Sequence, residues 1–159
     1  NENLPDLRDV RAAFLVDILE HLYNAEIEII LEKIKSWKEK DGIYLVIHTD
    51  NNNYLRFVRP VTDFIAICLG YASFQKIKEG KDYVMERHIN LTTAGKLKKR
   101  LVSDRFKVLS IEYPAMGMDI LKNHLGPIGE YRVILYPIYF LGKLFYFLRP
   151  SFYMLAKYE

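Results

Sequence analysis

The stretch from Ala13 to Leu22 constrains the fold most. It reads Ala-Phe-Leu-Val-Asp-Ile-Leu-Glu-His-Leu. An apolar run stops at an acidic residue, and a helical spacing of apolar residues starts at once. A buried parallel strand that delivers a polar group to the carboxyl edge of a sheet has this form, and in open α/β sheets ligands bind at that edge. Ala12 to Val16 therefore predicts a short strand. Ile18 to Lys38 predicts a helical stretch, with Leu19, Leu22, Ile27, Ile30, Leu31, Ile34 and Trp37 at three- and four-residue steps. Tyr23-Asn24 can interrupt it, with Asn24 capping the main helix.

Asn1 to Arg11 reads as a loop, and beyond the first helix the pattern repeats. Lys40-Asp41-Gly42 is a turn, and Ile43 to Thr49 is a nearly continuous β-branched and apolar run that suits a central strand buried on both faces. Asp50 to Asn53 reads as a loop. Phe57 to Tyr71 reads as a helix with Pro60 in its first turn. Phe74 to Glu86 is polar and reads as irregular. Thr92 or Thr93 caps a further helix that runs to Ser103. Phe106 to Tyr113 reads as a strand, Gly117 to Pro150 as an aromatic-rich insertion, and Ser151 to Tyr158 as the last strand. Strands that alternate with helices point to a parallel sheet with right-handed crossovers.

The 159 residues suffice for one domain with a core. A net charge of +3 is too small to argue for nucleic acid. The densest basic cluster, Lys96, Lys98, Lys99 and Arg100, reads as a solvated helix face. One cysteine, Cys68, allows no intrachain disulfide, which fits a reducing, cytoplasmic compartment. Its apolar neighbours make it a small core residue rather than a nucleophile. The polar, acidic N-terminus does not read as a secretory signal. No metal site is expected: the histidines are scattered, and Asp50-Asn51-Asn52-Asn53 lacks the glycine and terminal glutamate of a calcium loop.

Several segments, in order, resemble the class I S-adenosylmethionine-dependent methyltransferases. Asp17-Ile18-Leu19-Glu20-His21-Leu22 resembles the signature after that family's fourth strand, and Asn3-Leu4-Pro5 the loop before it. Lys40 to Thr49 resembles the turn and fifth strand. His88 with Leu91-Thr92 resembles the approach to the helix before the sixth strand, and Asp104-Arg105-Phe106-Lys107-Val108 the turn into it, with Arg105 where the family often has Gly. Ser151 to Glu159 resembles the terminal antiparallel strand. The resemblance spans nearly the whole chain except the insertion and implies its carboxyl-terminal half. The expected fold is then α/β: a partial Rossmann-like sheet, mostly parallel with a terminal antiparallel strand, and helices on both faces. Residues 1–159 would form a single incomplete domain, because no Gly-x-Gly cofactor loop occurs and the first glycine is Gly42.

The resemblance implies methyl transfer from S-adenosylmethionine to a small-molecule, glycan or lipid acceptor. It puts Asp17 and Ile18 beside the methionine end of the cofactor. Asp17 has a rival role as the cap of the helix that starts at Ile18. His21 could act as a general base, or be a histidine hydrogen-bonded to a neighbouring loop. His48, Asn51 and Tyr54 follow the fifth strand at its carboxyl end and are substrate-side candidates, against the alternative of an Asx-rich turn. His88 could reach the same mouth. The aromatic insertion could be a lid, a homodimer contact, or an interfacial helix with Lys143 and Arg149 near lipid headgroups, so peripheral membrane contact stays open. Two other function classes compete: a noncatalytic truncated α/β module acting through protein contact, and a DNA-binding regulator using the Thr92 to Arg100 helix.

Overall fold

The computed structural model of the protein describes residues 10–37, 42–114, 118, 122 and 132–158. Readings that fall on Asn3-Leu4-Pro5, Lys40-Asp41, Glu159 and most of the first half of the insertion lie outside the described residues. Strand β1 is Ala12–Val16, followed by a 3-10 turn at Leu19–His21 and helix α1 at Asn24–Ser36. Strand β2 is Ile43–Asp50. A π-helical turn, Tyr54–Val58, runs into α2 at Arg59–Cys68. Then come α3 at Phe74–Arg87, α4 at Ala94–Ser103, β3 at Phe106–Glu112, α5 at Arg132–Leu144, a 3-10 turn at Tyr146–Leu148, and β4 at Ser151–Tyr158.

The four strands form one sheet in the order β1-β2-β4-β3. β1 and β2 pair in parallel, while β4 is antiparallel to both β2 and β3. The sheet is therefore mixed, not mostly parallel as expected. The first three strands run in one direction. The reversed β4 sits between two of them, so its insertion turns one possible parallel ladder into two antiparallel ones.

Alternation along the strands sorts the side chains. Ile43, Leu45 and Ile47 of β2 and Phe152, Met154 and Ala156 of β4 are fully buried. They join Leu15 and Phe106 against Ile27, Leu31 and Ile34 of α1 and Ala94, Leu97 and Leu101 of α4. Each large aliphatic side chain so buried stabilises the fold by about 1.5–3 kcal/mol. On the opposite face, Phe14 is 65% exposed, and Val16, Tyr44 and Tyr153 are exposed as well. β2 is thus buried on one face among the described residues, and the described core helices cover one face rather than both.

Local chemistry fixes the helices. The Glu26 carboxylate accepts the Tyr23 N–H at 2.7 Å and closes the first turn of α1. Asn24 is not the cap. Its side-chain oxygen accepts from Arg100 Nη1 at 2.7 Å, which ties α1 to α4. Thr93 caps α4 by accepting the Lys96 N–H at 3.3 Å. α3 replaces the irregular segment expected at 74–86. Its lysines, glutamates and Gln75 are good helix formers, Gln75 donates to Glu79 at 2.8 Å, and little of it is buried, so no apolar stripe announced it. α2 and α5 meet in a small second cluster built on Ala66 and Leu135.

Candidate functional site at the carboxyl edge of β1 and β2

In the parallel pair, Val16 stands opposite His48. The next residue, Asp17, has φ 52, in the left-handed region. That conformation is uncommon outside glycine, though aspartate tolerates it better than most residues, and it marks sites where geometry is specified. The turn swings the Asp17 carboxylate back over its neighbour. Asp17 Oδ1 lies 2.6 Å from His48 Nδ1, and the Asp17 N–H donates to the His48 carbonyl at 3.1 Å. An imidazole whose Nδ1–H is held by a carboxylate keeps Nε2 as the basic nitrogen. The His48 ring also stacks on Tyr153, with centroids 4.4 Å apart. Asp17 does not cap the following turn, whose N-cap residue is Ile18 and has no side-chain cap bond.

Behind this pair lies a second polar layer. Glu20 is only 3% exposed, and the Thr49 hydroxyl donates to its Oε2 at 2.8 Å. A buried carboxylate needs such a donor. Asp50 follows on β2. Burial pushes its carboxyl above the usual range, His88 opposes that shift, and the charges of Glu20 and Asp17 reinforce it. His88 Nδ1 lies 3.3 Å from Asp50 Oδ2 but makes no hydrogen bond there. His21 stands edge-on to His88, ring centroids 4.8 Å apart, and its Nδ1 donates to the Arg87 carbonyl at 2.9 Å. The Asn90 N–H donates to the Glu20 carbonyl at 3.0 Å, so the segment after α3 closes this side.

His21, His48 and His88 thus gather with Asp17, Glu20 and Asp50 at one sheet edge, as the position of the two strand ends demands. Asn51 and Tyr54 do not join them with free polar atoms on view. The Asn51 amide is fully buried and donates to the carbonyls of Phe147 and Arg149, each at 2.8 Å, while its oxygen accepts the Asn53 N–H at 3.1 Å. Its role is to clamp the turn before β4. Tyr54 is buried in the π-helical turn, where burial raises its phenol above the ordinary value. Ile18 is exposed beside Asp17. Glu20 was missed as a site residue. Its signal was a carboxylate next to Leu19 where the helical spacing turns inward.

No set of three or more histidine, cysteine, aspartate or glutamate side chains among the described residues is arranged to hold a metal ion. Cys68 is exposed, not buried in the core as its neighbours suggested. No helix of the described residues is long and apolar enough to cross a membrane. No protein-family model matches the sequence, and no curated protein is similar to it.

Proposed function

We propose that this chain supplies the carboxyl-terminal half of a Rossmann-like, S-adenosylmethionine-dependent methyltransferase domain that acts on a small-molecule, glycan or lipid acceptor. One observation carries the reading: Asp17, turned at the end of β1, meets His48 near the carboxyl end of the parallel neighbour β2. Polar groups converge where an open α/β sheet binds ligands. Three co-directional strands with a reversed last strand among them support the same reading.

The donor set fits the amino-acid end of the cofactor. The Asp17 side chain is 58% exposed, and only one of its oxygens is engaged by His48, which leaves the other for a ligand ammonium. When bound, the cofactor supplies an electrophilic methyl group. His48 Nε2 would take the proton from an acceptor hydroxyl or amine, with Asp17 fixing the ring and steadying the imidazolium. His21 holds a backbone carbonyl and serves the wall.

Calorimetric titration with S-adenosylhomocysteine tests the proposal. The 159-residue chain is expected to bind weakly or not at all, and a form extended upstream in its reading frame to include a strand and Gly-x-Gly turn is expected to bind. An extended form that neither binds nor transfers a radiolabelled methyl group would overturn it. The second reading, a noncatalytic module, draws on the outer edge of β1 and the exposed Phe14 beside it, which together suit an added strand.

A further inference from the structure

Helix α5 carries two unlike faces. Leu135, Ile138 and Tyr139 turn inward to the cluster around Ala66. The outward face presents Tyr136, Phe140 and Leu144 at four-residue steps. Phe140 is 63% exposed and Leu144 is 71% exposed. Pro137 and Leu141 run alongside, and with Phe140, Lys143 and Leu144 they line an open apolar groove. The 3-10 turn that follows continues the surface with exposed Tyr146 and Phe147. Apolar side chains in this density on a soluble surface mark a contact with something else.

Charge selects the occupant. From Arg132 to Tyr158 the chain contains no aspartate or glutamate. Arg132 and Lys143 are exposed on α5 itself. Arg149 is not available, because its guanidinium donates to the carbonyls of Gly142 at 3.0 Å and Tyr113 at 2.6 Å. A two-fold contact between copies would bring each stripe against its own image, with cations facing cations and no acid on the segment to neutralise them. An anionic lipid surface neutralises both cations and takes the apolar stripe at the acyl boundary. The helix has 13 residues, roughly 20 Å at the usual rise, against about 30 Å of bilayer hydrocarbon. It can lie in the interface but not span it.

We propose that the outward face of α5 is a membrane-docking surface, lying in the headgroup region of an anionic bilayer with Phe140 and Leu144 as its deepest side chains. This rests on α5 alone and is independent of the catalytic reading.

The test is sedimentation of the chain with phosphatidylcholine vesicles, with and without phosphatidylserine. The chain is expected to pellet with the anionic vesicles and to be released by salt. Phe140→Asp and Leu144→Asp should leave it in the supernatant with an unchanged circular dichroism melt. Lys143→Gln should weaken binding about fivefold, and it carries the test alone should an Asp variant unfold, since it leaves the apolar stripe intact. Three results would overturn the proposal: wild-type protein that ignores anionic vesicles, Asp or Gln variants that pellet like wild type, or a vesicle-free dimer that Phe140→Asp dissociates.

Discussion

Asp17 and His48, separated by 31 residues, share a 2.6 Å contact because β1 ends opposite His48 of its parallel neighbour, which runs on to Asp50. The contact depends on the φ of 52 at Asp17. Asp17→Ala keeps the strained backbone but loses the carboxylate. It is expected to cost about 1 kcal/mol relative to Asp17→Gly, for which that backbone is free of strain. Urea unfolding of the two variants measures the difference. Equal stabilities would mean that the turn relaxes when the carboxylate is removed.

The roles of the histidines separate kinetically. On the proposed function, in a form extended upstream, His48→Ala is expected to lower methyl transfer by about 100-fold, the scale of a lost general base. His21→Ala should do less, since its Nδ1 binds the Arg87 carbonyl. Radiolabelled methyl incorporation across pH distinguishes them. A larger loss in His21→Ala would exchange their roles.

Asn51 is the clamp between the end of β2 and the turn before β4. Asn51→Ala would remove the amide donor from two part-buried carbonyls, of which that of Phe147 keeps Asn53 Nδ2 at 3.4 Å, and is expected to cost about 1–3 kcal/mol. Asn51→Asp should cost more at neutral pH, because a carboxylate would face those carbonyls with no donor. Chemical denaturation at neutral pH reads both.

Asp50 sets a pH dependence. Its carboxyl is raised by burial, so the folded chain holds its proton at pH values where the unfolded chain has lost it. Its contribution to stability is full below the ordinary carboxylate range and is lost as pH rises through the raised value. Asp50→Asn is expected to remove that slope and to be relatively more stable than wild type near neutrality. Unfolding midpoints collected from pH 3.5 to 7 follow the trend, and parallel curves for the two proteins would count against it.

One-sided burial of the sheet gives the last expectation. Ile47→Ala removes a fully buried side chain and should cost about 2–5 kcal/mol. Tyr44→Ala, on the exposed face three residues earlier, should cost under about 1 kcal/mol. Comparable losses at the two positions would require a covered second face.

Much of the framework was legible because its signals are local. The apolar run before Asp17, the β-branched run of β2 and the final run of β4 each state a strand within a few residues. The meeting of Asp17 with His48 was also legible, because both follow apolar runs that deliver their polar residues to the carboxyl edge of one sheet. The rest depends on distance along the chain. Nothing near Asn51 announces that its partners are 96 and 98 residues away. β2 read as buried on both faces because Tyr44 and Val46 are as apolar as their inward neighbours. α3 was hidden because helix propensity without a stripe looks like a polar loop.

The position of β4 has a consequence for synthesis. Among the described residues, β3 is hydrogen-bonded in the sheet only to β4, and β2 shares its long antiparallel ladder with the same strand. Residues 106–112 therefore leave the ribosome with no ladder to join until residues 151–158 follow. A nascent polypeptide halted anywhere in between would carry two unzipped margins, so the sheet closes only once β4 has been made.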